Sequence, residues 1–399
     1  MDSEGIVHMV NSLYRRVSRK RVCSICGKPD WCSYTPDGSA SFCARVNNRA
    51  DRISPTGWGV YFHDTLPKVT SAAPPFPILT NKSRRTSGLA PIDVRDFVYR
   101  QLIALAPASN SIEIVSGPKG LNERKIHNVE NYGSLPKNYH KRDELAEYIF
   151  ELVRGKFPGF LKKQKTTNTY IPGFWTDVRG RPRLWRQKDY SVPMLLIPFQ
   201  DVDGLIQACQ IRFMGNPAEK RPRYIWFSTP DKLNGGGCGT PLHFARYNKD
   251  SVNKAILVTE GVLKAETLKG FSAGQDIIAS AGVSCSHDRI ISAARFRSLL
   301  IGFDADKNEN RHVARAVARL LLLRHADQKS YSYDDTVHIL TWNSEFRGID
   351  DAHLAKSPIS QISPKGWFEA LSHCCQQEVR RYIETTDTSR QFVLTSVLK

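Results

Sequence analysis

The stretch that decides the fold is ILVTEGVLKAETLKG, residues 256–270. Ile256, Leu257, Val258 and Thr259 make a short apolar, β-branched run of strand character. The run ends on Glu260 and Gly261, and a helical pattern, VLKAETLK, begins at once. In an open α/β sheet the carboxyl ends of the strands face the crevice where ligands bind. A carboxylate delivered there is either a solvated strand end or a working acid, and the chain downstream decides which.

Downstream the alternation continues. DIIASAGV (276–283) reads as a strand with Gly282 at its exit, RIISAARF (289–296) as a helix, and SLLIGFDADKN (298–308) as a strand ending in Asp304-Ala305-Asp306. HVARAVARLLLLRHA (312–326) is a long helix, TVHILTW (336–342) a strand, and GIDDAHLA follows at 348–355. Strands joined by helices in this way predict a parallel sheet covered on both faces. In Asp-x-Asp an extended chain puts both carboxylates on one side. With Glu260 that makes three acids at one rim, which resist ionising together unless a cation sits among them. Hard oxygen ligands point to Mg²⁺, or Mn²⁺ in its place, and to metal-assisted phosphoryl transfer.

Composition points to an anionic partner. The 399 residues carry 57 Lys plus Arg against 39 Asp plus Glu, a net charge of +18. A charge of that size favours nucleic acid. Between Arg154 and Lys188 there are ten Lys or Arg and one acid, Asp177, with Phe157, Phe160, Tyr170, Phe174, Trp175 and Trp185 interleaved. Positive charge follows a phosphate backbone and aromatic faces stack on unpaired bases, so Trp175, Arg181, Arg183, Trp185 and Arg186 are candidates for contact with single-stranded DNA. The bland reading of the same run is a solvated basic loop with core aromatics. The first residues have no charged region leading into an apolar one and no run of 18 apolar residues occurs, so neither a signal peptide nor a membrane span is expected.

Of nine cysteines, Cys23, Cys26, Cys32 and Cys43 fall in one short window. That pattern suits a reduced, cytoplasmic protein with one metal site better than a disulfide framework. Cys23-x2-Cys26-Gly27 makes a knuckle, and four thiolates match tetrahedral Zn²⁺ in a stretch too short to build a core. His63 is a substitute ligand in reserve. Residues 66–91 are rich in Pro, Ser and Thr and read as a linker. Residues 92–155 read as a small helical module of winged-helix type, with VRDFVYRQLIAL and KRDELAEYIFELV at helical spacing. MLLIPFQDVDGLIQACQIRF (194–213) reads as a hairpin turning at Asp203-Gly204, and PRYIWFSTP as a further strand. LNGGGCGT (233–240) is a glycine loop whose backbone is able to approach a phosphate.

The order strand–Glu–Gly–helix, strand–Gly, strand–Asp-x-Asp–helix, strand, Gly-x-Asp-Asp resembles the Toprim domain of bacterial-type primases, topoisomerases and related nucleases, over about residues 252–355. TEG with Glu260 matches the family's glutamate motif, FDADKN its DxD motif, and GIDD an ending seen in primases. LLIPFQDVDGLIQACQIRF, RPRYIWFSTP and GTPLHFA are similar to the subdomain that precedes Toprim in primases, and the four-Cys window to the primase zinc-binding domain. The nearest likeness is to primases of plasmids, phages and other mobile elements.

That resemblance implies an α/β architecture in six parts: a zinc module (1–65), the linker (66–91), the helical module (92–155), a β-rich basic subdomain (156–250), Toprim (251–356) and a C-terminal helical tail (357–399). It implies RNA-primer synthesis on single-stranded DNA from nucleoside triphosphates, with a replicative helicase as a further partner. Asp304 and Asp306 would be metal ligands, and Glu260 a ligand or the base. Asp350 and Asp351 would tune a second metal, with a helix N-cap role for Asp351 as the alternative. Arg212, Arg223 and Lys232 would form a basic ridge for nucleotide or template. Four Cys with uneven spacing depart from the Cys/His mixture of cellular primases, and no Walker A motif occurs. A catalytically weak replication-initiation protein and a Toprim nuclease are the alternatives.

Overall fold

The computed structural model describes residues 15–18, 21–30, 32–35, 40–46, 50–53, 58–63, 89–162, 170–186, 192–215, 222–248, 255–271 and 275–386. Most of the predicted linker (66–88), residues 163–169 and 187–188 of the basic run, and 387–399 of the predicted tail lie outside the described residues. The chain forms two compact units, Met1–Phe76 and Pro77–Lys399. No helix among the described residues is long and apolar enough to cross a membrane.

In the larger unit β1 (His243–Arg246), β2 (Ile256–Glu260), β3 (Asp276–Ser280), β4 (Leu299–Gly302), β5 (Val337–Thr341) and β6 (Ser360–Ile362) form one sheet in the order β1-β3-β2-β4-β5-β6. The middle four are parallel and coincide with the four predicted strands, while β1 and β6 close the edges antiparallel. Those edges carry no sequence signal, because HFAR and SQI are too short to show a period.

The helices that matter here are α1 (Val262–Thr267), α2 (His287–Ala294), α3 (Arg311–Tyr331), α4 (Ile349–Leu354) and α5 (His373–Thr386). Strand alternation sorts the sheet's side chains between them. Ile256, Val258, Ile278, Leu299, Ile301 and Ile339 share a core with α2, α3 and α5. Leu257, Ile277, Ala279, Leu300 and Leu340 pack on the other side with residues of α1 and α4. The chain thus leaves β2 onto one face and β4 onto the opposite face. Adjacent strands whose connections diverge in this way open a crevice at their carboxyl ends.

α1 is enclosed on its far side too. Its Val262 and Leu263 share a core with Leu195, Ile197 and Phe199 of a second, antiparallel sheet, and with Met214 just beyond it. That sheet has the order Tyr224–Trp226, Ile206–Phe213, Met194–Gln200, Gly133–Ser134. Its predicted turn is present: Gly204 takes a φ of 76°, and the Asp201 carboxylate accepts the N–H groups of Asp203 and Leu205, each at 2.9 Å. Helices Ile92–Leu105 and Tyr139–Lys156 cover the outer face, where Val94, Val98, Ile149 and Phe150 pack with Met194, Leu196, Ile211 and Phe213. The predicted helical module 92–155 therefore shares its core with the strands, since its apolar stripes have the sheet as their partner.

The C-terminal segment also differs from expectation. The predicted helical tail begins with a strand, β6, and continues as two helices, Pro364–Glu369 and α5. Trp367 is fully buried, and Cys375, Val379 and Ile383 of α5 belong to the same core as α3. Up to residue 386 this segment is a layer of the fold rather than a tail.

The smaller unit is a five-stranded antiparallel sheet of short strands, in the order Arg15–Arg16, Ser33–Tyr34, Ala40–Cys43, Gly59–Phe62, Arg52–Ile53. Among its described residues, Cys23, Cys32 and Cys43 form one buried cluster with Val17.

At the start of α2, His287 is buried; its Nε2 donates to the Val283 carbonyl at 2.6 Å while Nδ1 has no partner. Burial pushes its pKa down to about 4. A folded-state pKa below the unfolded value gives stability that is present above about 6.5 and lost as pH falls toward 4. The loss amounts to on the order of 3 kcal/mol. His287→Gln, which keeps a donor for Val283, should flatten the fall of the urea midpoint between pH 6.5 and 4; an unchanged slope would assign that fall to other groups.

Candidate active site and metal centre

Glu260 is the last residue of β2 and the chain must turn immediately to enter α1. Gly261 makes that turn at a φ of 85°, a conformation L side chains rarely adopt. Its N–H donates to the Ser280 carbonyl at 2.7 Å, which ties the turn to the end of β3. One strand over, β4 ends at Gly302 and the chain passes through Phe303 to Asp304, then into the single turn Ala305–Asn308 that carries Asp306. The Ala305 N–H donates to the Arg347 carbonyl at 2.8 Å, holding this turn against the loop that leads into α4.

The three acids therefore meet at the diverging ends of β2 and β4. Glu260 is half-buried, and burial pushes its carboxyl above the ordinary range. Lys264 pulls it down, Asp304 and Asp306 push it up, and Arg347 pulls it down. Asp304 is 6% exposed. One of its oxygens accepts from the Lys264 ammonium and the other lies 3.5 Å from Arg347 Nε. Asp306 accepts from Asn310 Nδ2 at 3.2 Å through Oδ2, while its Oδ1 is buried without a partner. The Asn308 Oδ1 is orphaned in the same way. Unsatisfied hard oxygens beside two further carboxylates fit a hard divalent cation. The acids are not drawn as close as the four cysteines, which are, among the described residues, the group of metal-ligating side chains whose ligand atoms all lie within 4.8 Å. Lys264 stands among the acids instead.

Asp350 and Asp351 part company. α4 is capped by Gly348, not by Asp351, which sits exposed in its first turn. Asp350 is 2% exposed and its Oδ2 pairs with Arg124 at 2.8 Å. The Arg124 carbonyl in turn accepts from Thr267 Oγ1 of α1 at 3.1 Å. The segment around Arg124 is thus tied to α4 and α1 by these bonds, and one Asp350 oxygen expected on a metal is committed to a guanidinium.

The predicted ridge is partly internal. Arg212 is 2% exposed, donates to the Lys119 carbonyl at 2.8 Å and lies over the Tyr224 ring. Arg223 and Lys232 are exposed, with Lys232 Nζ 3.6 Å from Asp231. In the basic run, Trp185 is 5% exposed in the core with Arg142 over its ring, so its faces are not offered to a base. Trp175 is half-buried and donates to the Leu184 carbonyl at 3.1 Å. Arg183 is buried against Asp177 at 2.8 Å and Glu147, Arg181 pairs with Asp177 at 2.9 Å, and Arg186 pairs with Asp143. Asp143 and Glu147 come from helix Tyr139–Lys156, outside the run, and answer charge that the local sequence leaves unpaired. Sequence reasoning missed Lys264, Arg347 and Arg124. The first two lie beside motifs already noted; nothing local marks Arg124.

In the smaller unit the Cys26 and Cys32 sulfurs are 3.7 Å apart and those of Cys32 and Cys43 3.9 Å. Tetrahedral zinc with its usual bond length sets its sulfurs about 3.8 Å apart. The N–H groups of Ile25, Ala44 and Val46 point at Cys23, Cys32 and Cys43 sulfurs at 3.4, 3.5 and 3.3 Å. Burial drives Cys32 up to about 12. Burial also raises Cys26, but the Lys28 backbone and then its sister thiols outweigh it and bring it down to about 7. A cation among them is what would ionise all four. His63 is held elsewhere, 2.7 Å from Ser41 Oγ and 3.3 Å from Ser24 Oγ.

No protein-family model and no curated protein sequence matches the chain. Several solved structures are similar to it. The Aquifex aeolicus primase zinc-binding and RNA polymerase domains overlay with a TM-score of 0.45 at 14% identity, covering 77% of this chain and 72% of that one. A DNA primase domain from Pseudomonas aeruginosa gives 0.46 at 16% identity, covering 76% and 94%. A DnaG primase catalytic domain bound to single-stranded DNA gives 0.42 at 15% identity, covering 77% and 99%.

Purified protein should carry about one zinc per chain by mass spectrometry, and Cys32→Ser should release it. Chelation should unfold the smaller unit and spare the larger one, because metal binding supplies the folding free energy of a module with so little core. An ordered, zinc-free smaller unit would contradict this.

Proposed function

We propose that the chain is a primase, synthesising short RNA primers on single-stranded DNA by divalent-metal-dependent nucleotidyl transfer, with a Toprim domain as its catalytic part. The observation that carries this reading is the convergence of Glu260, Asp304 and Asp306 at the divergence of β2 and β4, with Asp306 Oδ1 buried and unpaired. Divalent cations bound there would supply charge to the phosphates that react. Asp304 and Asp306 are the residues that would hold them. Glu260, whose carboxyl burial raises, is suited to take a proton from an attacking hydroxyl. Exposed Arg223 and Lys232 are groups at the surface that would meet phosphates, while Arg181 and Arg186, also exposed, are answered by Asp177 and Asp143. The net charge of +18 supports a polyanionic partner. Asp350 serves by anchoring Arg124, and Arg212 by bracing the backbone at Lys119. The zinc module would select template sequence or start the primer, and the host of such a primase would be a mobile element or phage.

A second reading, a replication-initiation protein with a catalytically weak Toprim fold, is favoured by the Lys264 ammonium on Asp304. One assay separates the two: single-stranded DNA, labelled nucleoside triphosphates and Mg²⁺. Short RNA products are expected. Asp304→Ala should cut synthesis by on the order of 10²–10³-fold, the loss of several kcal/mol of charge stabilisation, while DNA binding survives on distant Lys and Arg. Tight binding without products in the wild type would favour the initiator, and shortened DNA a nuclease.

A further inference from the structure

We propose that Lys264 is an internal counter-ion that competes with divalent metal: its ammonium holds Asp304 while the site is free of metal and transfers to the unpaired oxygen of Asp350 when the metal enters. The inference rests on the reading of Glu260, Asp304 and Asp306 as a cation site.

Position comes first. Lys264 is the third residue of α1, the helix that starts directly behind Glu260. Side chains on a helix tilt toward its N-terminus, so this one reaches back over the crevice. Its ammonium pairs with Asp304 Oδ1 and its side chain is 19% exposed. Arg347, the other cation on Asp304, has an 81% exposed side chain and is able to withdraw into water. Lys264 has far less access to water and needs a second acceptor if it leaves.

That acceptor is beside it. Asp350 is 2% exposed, its Oδ2 is taken by Arg124, and its Oδ1 has no partner. Gly348 keeps the passage open: a Cβ there would lie 2.1 Å from Asp350 Oδ1 and 3.4 Å from Lys264 Cε. Lys264 Cε and the orphaned oxygen therefore border the same space at Gly348. A buried carboxylate oxygen left unpaired is costly, and a nearby ammonium is the group that satisfies it.

Charge supplies the drive. Three acids facing Lys264 and Arg347 keep one net negative charge, so the site is nearly balanced without metal. A divalent cation must displace a positive charge to bind strongly. Its affinity is then set by how readily Lys264 gives up Asp304, and Asp350 lowers the cost of that departure.

The test is Mn²⁺ binding to the full chain, followed by electron paramagnetic resonance, with thermal melts to confirm folding. The variants are Lys264→Met, Lys264→Arg, Asp350→Asn, Lys264→Met with Asp350→Asn, and Asp306→Asn. Asp306→Asn should abolish binding and so locate the ion. Lys264→Met should bind on the order of tenfold more tightly, as expected when a competing ion pair of about 1.4 kcal/mol is removed. Lys264→Arg should stay near wild type. Asp350→Asn should weaken binding in the wild-type background and change nothing beside Lys264→Met, because the recipient matters only while there is an ammonium to receive. Unchanged or weaker binding by Lys264→Met, with Asp306→Asn still abolishing it, would overturn the competition and leave the metal site standing. Should Lys264→Met fail to fold, an Asp350→Asn affinity equal to wild type would overturn the transfer. No Mn²⁺ binding by any chain, or binding indifferent to Asp306→Asn, would remove the cation site and this inference with it.

Discussion

Mutual repulsion of three carboxylates, at the ends of two adjacent parallel strands, is the constraint to which the rest of the larger unit responds. Parallel strands deliver Glu260 and Asp304 side by side because their register places Thr259 opposite Gly302. The surroundings restrain the charge that results. Lys264 and Arg347 sit on Asp304, and Arg124 arrives from a distant segment to pair with Asp350. Burial holds Glu260 above its ordinary range. Such a cluster tolerates cations and attracts phosphates only through them, which is the electrostatic condition for nucleotidyl transfer.

The layering explains how the cluster is kept rigid. α1 is confined between two sheets, with Ala265 packed on one side and Val262 and Leu263 on the other. Packing on both flanks positions the backbone of the Glu260 turn and of Lys264 relative to Asp304. The face of the six-stranded sheet opposite α1 is closed by α2, α3 and α5, with Trp367 buried in the same core.

The acids were legible in the sequence for a physical reason. Strand alternation and the abrupt Glu260-Gly261 and Asp304-Ala305-Asp306 endings are local patterns, and locality is what a sequence displays. The parallel sheet followed from the spacing of its strands. Partners that come from afar were hidden. Arg124 reaches Asp350 from 226 residues away, and Asp143 and Glu147 neutralise arginines that look unpaired in their own segment. Trp185 illustrates the companion difficulty: an aromatic amid basic residues has the same sequence signature whether it faces a base or a core, and here it faces the core. The four cysteines were legible because a coreless stretch leaves few uses for clustered thiols, while the seating of His63 on Ser41, away from the four thiols, was not.

Anomalous scattering from a crystal soaked in Mn²⁺ tests the central claim most directly. The account predicts a peak at the usual oxygen-ligand distance, about 2.1 Å for a small hard cation, from the carboxylates of Asp304 and Asp306, near Glu260. A map with no peak at that rim, or with Lys264 still bonded to Asp304 and the ion bound elsewhere, would contradict it.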